Sequence, residues 1–254
     1  MATGLAPSPT RSRLRWWKEA IYIGAFYLVY SVVRNLQGSA TRARHNALHI
    51  IRLEKLLGIY QEHGVQHIFG LTPGADIRHL HWRTFIQFWD VYYGSAHFIV
   101  SIVALVWLFR RDKARYPLWR NTLAITTGLA LIGFATFPLM PPRLLPEYGF
   151  IDTLKSVGGL WNFDSGAMSK VSNQYAAMPS LHFGWSSWCA CVFWPSLRRP
   201  WTKVLAVAYP FLTLFAIVVT ANHFILDAAG GAAVFGVAYL LARAFTGWVS
   251  ARTT

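Results

Sequence analysis

The sequence predicts an all-α fold: a polytopic membrane protein built as a six-helix transmembrane bundle with short interfacial amphipathic helices. Three observations carry that expectation. Hydrophobic residues make up 54% of the 254-residue chain and charged residues only 13%, about half the ~25% charge of a soluble domain. The apolar residues fall in runs close to the ~20 that cross a bilayer as a helix. Aromatic side chains are abundant, with 12 tryptophans among them, as expected where rings anchor at the headgroup level.

Taken in order, residues 1–18 read as a disordered cytoplasmic tail that becomes basic at Arg11, Arg13, Arg15 and Lys18. One transmembrane domain follows over 19–245. Its first apolar run, Ala20–Val33, suits a retained anchor better than a signal peptide cleaved near Gly38 and Ala40, because it is bulky and aromatic. Residues 38–83 mix Ala47, Ile50, Ile51 and Leu57 with Arg42, Arg44, Arg52, Glu54 and Lys55, the pattern of short amphipathic helices lying on a membrane. The second span runs from Thr84 to Phe109, closed by Arg110 and Arg111. The third runs from Leu123 to Leu139 and stops among Pro138, Pro141 and Pro142. Residues 141–179 form a polar loop, long enough that a functional role is the expectation. The fourth span is Leu181–Phe193, the fifth Val204–Thr220 and the sixth Phe224–Ala244, leaving 246–254 as a cytoplasmic tail.

The net charge of +14 raises the question of nucleic acid. The basic residues sit between apolar runs and form no aromatic-interleaved groove, so no nucleic-acid partner is expected. Anionic lipid and membrane orientation account for them. Lysine and arginine concentrate in the N-terminal tail, after the second span and at Arg198, Arg199 and Lys203, whereas the 141–179 loop holds Arg143, Lys155 and Lys170. The positive-inside rule therefore puts that loop outside and both termini in the cytoplasm. The 34–83 segment dissents with seven basic residues and is read as lying on headgroups. Cys189 and Cys191 point to different faces of a helix and read as small apolar residues.

Three features then converge on the external face. Arg143 follows the third span, Pro179-Ser180-Leu181-His182 opens the fourth, and Asn222-His223-Phe224-Ile225-Leu226-Asp227 opens the sixth. His223 and Asp227 stand at i, i+4, so a carboxylate sits beside an imidazole and fixes its tautomer. Pro179 suits a first helical turn and Ser180 a cap, with Asn222 capping the sixth span in the same way. Helix starts bind anions, and the Arg143 fork suits phosphate. A buried His–Asp pair that only joins helices is the plainer reading, but ionisable residues at a membrane edge are costly enough to favour function. Asp90, Tyr93 and His97 form a second polar stripe at i, i+3 and i+7 of the second span, a candidate site for a headgroup or acceptor alcohol. The pairs His45/His49, His63/His67 and His79/His81 lack a companion cysteine cluster and are read as interfacial, so no metal is expected. A transporter using the histidines as a proton relay is the main alternative, disfavoured because no paired broken spans or repeats are seen. A catalytically inactive scaffold is disfavoured by the presence of His182, His223 and Asp227.

Pro-Ser-x-His followed by His-x-x-x-Asp resembles the type 2 phosphatidic acid phosphatase superfamily. The stretches Phe137–Pro146, Asn173–His182 and Thr220–Asp227 are more similar to its aureobasidin-sensitive branch, the inositol phosphorylceramide synthases and their bacterial relatives. The resemblance implies a lipid-phosphate substrate, no cofactor, and a metal-independent phosphotransferase or phosphatase in a bacterial plasma membrane. It implies His223 as nucleophile, Asp227 as its orienting partner, His182 as general acid, and Arg143 and Ser180 as phosphate ligands. Two cations of the phosphatase pattern are replaced here by Thr136 and Ile217, and a common glycine by Leu181. Lys170, Lys155 or a helix start is the expected substitute, and the departures favour the transferase-like branch.

Overall fold

The computed structural model describes residues 15–34, 39–79, 81–157 and 173–252. The long helices are α1 (Trp16–Arg34), α2 (Ala40–Leu57), α4 (Arg83–Arg111), α5 (Tyr116–Thr136), α7 (Leu181–Phe193), α8 (Pro200–Val219) and α9 (Ile225–Arg252). Two short ones, α3 (Glu62–Ile68) and α6 (Thr153–Ser156), lie between them. Among the described residues there is no strand, only a bridge between Leu139 and Ala176.

Helices α4, α8 and α9 (over Ile225–Thr246) are long and apolar enough to cross a membrane. Their outer faces carry exposed Ile99, Ile102 and Val103 on α4, Leu205 and Phe211 on α8, and Val237 and Leu240 on α9. Water would penalise such continuous apolar surface, whereas lipid solvates it; the chain is an integral membrane protein. Three of the six expected spans thus have the character of a crossing helix. The other three stretches are helical as α1, α5 and α7 without meeting that standard. At 13 residues, α7 is only about 20 Å long at 1.5 Å per residue, short of a ~30 Å hydrocarbon core.

Packing turns on α9, which lies against α5 and α7, while α7 also touches α4 and α8. Gly231 of α9 faces the Ser180 carbonyl so closely that a Cβ there would collide with it. This approach seats the start of α7 in the first turns of α9, where the Ser180 N–H donates to the Asp227 carbonyl at 2.9 Å. At the far end Trp188 is fully buried and donates through Nε1 to the Trp119 carbonyl at 2.9 Å. Glu19 of α1 receives Arg120 at 2.6 Å and anchors α1 to α5.

Helix α2 starts at Ser39, whose hydroxyl accepts from the Arg42 N–H, and ends at Gly58 with φ 70°. Its buried Ala43, Ala47, Ile50 and Ile51 repeat at helical spacing, and the last three pack on Leu139, Leu145, Phe150 and Phe224. Polar groups on α2 and α3 extend the contact. Asn46 donates to the Pro138 carbonyl, Arg42 to the Thr136 carbonyl, and Gln66 to the Ile151 and Val219 carbonyls. The amphipathic segment thus grips the chain on both sides of Arg143 and at the end of α8.

Candidate active site

The His223 turn follows from how α8 ends. Ala221 adopts φ 51°, a left-handed conformation that costs a residue with a Cβ roughly 1–2 kcal/mol. The Asn222 N–H reaches the Ile217 carbonyl at 2.9 Å and the Ala221 N–H the Val218 carbonyl at 2.9 Å, the paired bonds of a Schellman stop. The Ala221 carbonyl, turned outward, accepts the Arg143 N–H at 2.8 Å. The backbones of Arg143 and His223 are therefore fixed to one turn.

His223 lies in the turn two residues before α9, almost fully buried at 3% exposure. Its Nδ1 lies 3.2 Å from Asp227 Oδ2, and its Nε2 lies 3.3 Å from His182 Nδ1. Asp227 Oδ2 also accepts the Phe224 N–H at 3.0 Å, the backward half of a capping box. A carboxylate beside Nδ1 assigns the proton there, which leaves Nε2 with its lone pair and makes His182 Nδ1 the donor toward it. Tyr93 stacks on His182 with ring centres 4.3 Å apart, and His97 meets the same ring edge-on at 4.2 Å. Tyr93 is also 6.2 Å from His223.

Arg143 is buried and paired through Nη1 with Asp152 Oδ2 at 2.8 Å, while its Nε has no partner among the described residues. Asp90, 1% exposed, accepts the Thr153 hydroxyl at 2.8 Å through Oδ1 and feels the charges of Asp152 and Arg143. The stripe thus divides: Tyr93 and His97 face the histidine pair, and Asp90 faces the Arg143 side. Lys170 lies outside the described residues.

Two expectations about helix starts are corrected. Asn222 does not cap α9: its Nδ2 donates to Thr220 Oγ1 at 2.8 Å and to the Thr220 carbonyl. The first N–H groups of α9 are not open to an anion either, because carboxyl oxygens take them: Phe224 from Asp227, Ile225 from Glu62 at 2.8 Å and Leu226 from Glu54 at 2.8 Å. Ser180 is fully buried, and its hydroxyl accepts the Phe183 N–H of α7. Ile217 is buried and apolar and Thr136 exposed, so neither supplies a cation. Sequence reasoning missed Asp152, Glu54 and Glu62. The signal was scarcity: the chain has ten acidic residues, and Glu54 and Glu62 fall in a segment otherwise read as surface.

His45 and His49 bring their Nε2 atoms to 2.9 Å. Among the described residues no group of three or more His, Cys, Asp or Glu side chains is arranged to hold a metal ion.

No curated protein and no solved structure matches the chain. A family model of the PAP2 superfamily matches residues 48–241, well over half the chain. The matched stretch holds Arg143, His182, His223 and Asp227 together with α3 and the second half of α2; the chain belongs to the PAP2 superfamily.

Proposed function

We propose that this protein transfers the phosphoryl group of a membrane lipid phosphate through a phosphohistidine on His223. The observation that carries the reading is the continuous line Asp227–His223–His182, with both imidazole contacts within 3.3 Å. In the first step His223 Nε2 attacks phosphorus as the bond to the lipid oxygen breaks. His182, doubly protonated at the start of this step, passes its Nδ1 proton to that leaving oxygen and is left neutral, and Asp227 stabilises the charge gained by the His223 ring. In the second step His182, now basic, takes a proton from an acceptor hydroxyl. The acceptor oxygen attacks phosphorus and the Nε2–P bond breaks, restoring both rings. Arg143, whose buried Nε has no partner among the described residues, is the donor we assign to the phosphate oxygens.

Transfer to an alcohol, of the inositol-phosphate type, fits this chain better than plain hydrolysis. Thr136 and Ile217 carry no charge where the phosphatase pattern has cations, and the polar stripe of α4 adjoins the histidine pair. A transferase needs such a second site, whereas a phosphatase needs only water. The reading includes six crossings, both termini in the cytoplasm and the histidines on the external face, supported by the distribution of lysine and arginine.

Asp90→Asn and His97→Ala test the acceptor. Transfer to a polyol or lipid alcohol should fall roughly tenfold or more, the worth of one or two hydrogen bonds to charged groups. Hydrolysis of a generic phosphate ester, and phosphohistidine formation, should stay near wild type in protein shown to be equally folded. Equal loss of both activities would return the stripe to a structural role.

A further inference from the structure

Glu54 and Glu62 are fully buried, and neither belongs to the chemistry just described. Each uses Oε1 for one backbone bond, to the Leu226 and Ile225 N–H groups respectively. These are the first two N–H groups of α9, orphaned in any helix that lacks a capping side chain, and Phe224 at the cap position has no acceptor to offer. The acceptors come instead from 163 and 172 residues away along the chain. Oε2 of both glutamates is buried and receives no N–H or O–H from the other described residues. The Oε1 atoms hold adjacent N–H groups of one turn, so the two buried carboxyls are neighbours, and like charges placed so close oppose ionisation of both.

We propose that Glu54 and Glu62 form a carboxyl–carboxylate pair sharing one proton, which clamps the first turn of α9 and thereby positions His223. The pair acts through the helix and touches no reacting atom; its glutamates are positioning residues. Its single negative charge lies at the positive end of the α9 dipole, where an anion is stabilised. The proton serves two ends: it satisfies both orphaned Oε2 atoms, and it spares the interior a second charge close to Asp227. The titratable groups around Glu54 are Glu62 on α3, Asp227 on α9, and Tyr60 in the link between α2 and α3, with Tyr148 beyond Tyr60. Burial first, and Glu62 next, push the Glu54 carboxyl up to about 9, and burial raises Glu62 as well. The catalytic role of His223 in this inference rests on the function proposed above; the shared proton does not.

The experiment uses the full-length protein in detergent or nanodiscs, with Glu54→Gln and Glu54→Leu variants. Glutamine keeps an acceptor for the Leu226 N–H and donates permanently to Glu62, so Glu54→Gln should retain most activity. Leucine removes both bonds, and a misplaced nucleophile should lower kcat roughly 100-fold with little change in KM. An infrared difference spectrum, wild type minus Glu54→Gln at pH 7, should show the C=O band of a protonated carboxyl. Because the folded pair holds a proton that the unfolded chain releases near pH 4.5, the wild-type melting temperature should fall, relative to Glu54→Gln, as pH rises from about 5 to about 9. Absence of the infrared band together with parallel melting profiles would overturn the shared proton. A folded Glu54→Leu protein with wild-type kcat would overturn the positioning role. If Glu54→Leu does not fold, loss of activity in Glu54→Gln well beyond tenfold would count against the clamp. If the wild type showed no phosphoryl transfer at all, the proposed function would fail, and the infrared and melting measurements would still decide the pair.

Discussion

His223→Ala protein should fold, bind lipid phosphate, and turn it over at least about 10⁴-fold more slowly than wild type, the scale on which removal of a nucleophile is felt. The expectation follows from position as much as from residue type. His223 Nε2 is the ring nitrogen that Asp227 leaves unprotonated, and it faces the proton donor His182 at 3.3 Å. The truncation leaves the Asp227 carboxylate with the Phe224 N–H but without the imidazole, an unmet acceptor that costs about 1–3 kcal/mol of stability. His223→Asn, which can keep a donor toward Asp227, is therefore the companion variant. Both should lose turnover equally while differing in melting temperature. Substantial turnover in either purified protein contradicts the assignment.

His182→Ala should behave differently according to the leaving group. A lipid alkoxide is a poor leaving group and needs the His182 proton, so its release should slow about 10²–10⁴-fold, the usual worth of a general acid. An aryl phosphate, whose leaving oxygen is stable as an anion, should still phosphorylate His223 at a rate near wild type. The second step lacks its base in this variant, so the phosphoenzyme should accumulate and a burst should precede slow turnover. Tyr93 and His97 pack directly on the His182 ring, and its loss opens space between them; equal folding has to be shown alongside. Rates that fall by the same factor for both substrates would remove His182 from the proton path.

The sequence carried the apolar helices well because composition alone sets them: α4, α8 and α9 lie within a few residues of the runs read from hydropathy. It also placed His182, His223, Tyr93 and His97 on stretches that the fold brings together: the i, i+4 spacing of Tyr93 and His97 fixes one face of α4 without tertiary information, whereas His223 meets Asp227 from the turn before α9. What it withheld were contacts that no local pattern encodes. Arg143 read as a lone cation, yet Asp152 in the following loop pairs with it. The start of α9 read as an open anion site under an Asn222 cap, yet Asn222 turns back to Thr220 and remote glutamates fill the N–H groups. The segment over 38–83 read as amphipathic helices on headgroups because Glu54 looked like one charge among several. Only the fold shows that Glu54 shares the buried face with Ala47, Ile50 and Ile51. α1 and α5 keep Glu19, Arg120 and Asn121 within their length, paired to one another, and the sequence gives no sign of that pairing.

The phosphoryl group held covalently on His223 can be trapped chemically. Protein mixed with a lipid phosphate labelled in the phosphoryl group is quenched in base within the first turnover, digested, and mapped by tandem mass spectrometry. A phosphoryl group that is stable to base, labile to acid and located on His223 is the predicted result, forming no more slowly than product and accumulating further in His182→Ala with an aryl phosphate. Product release at full rate with no label on His223 at any time, or with the label on another residue, would contradict it.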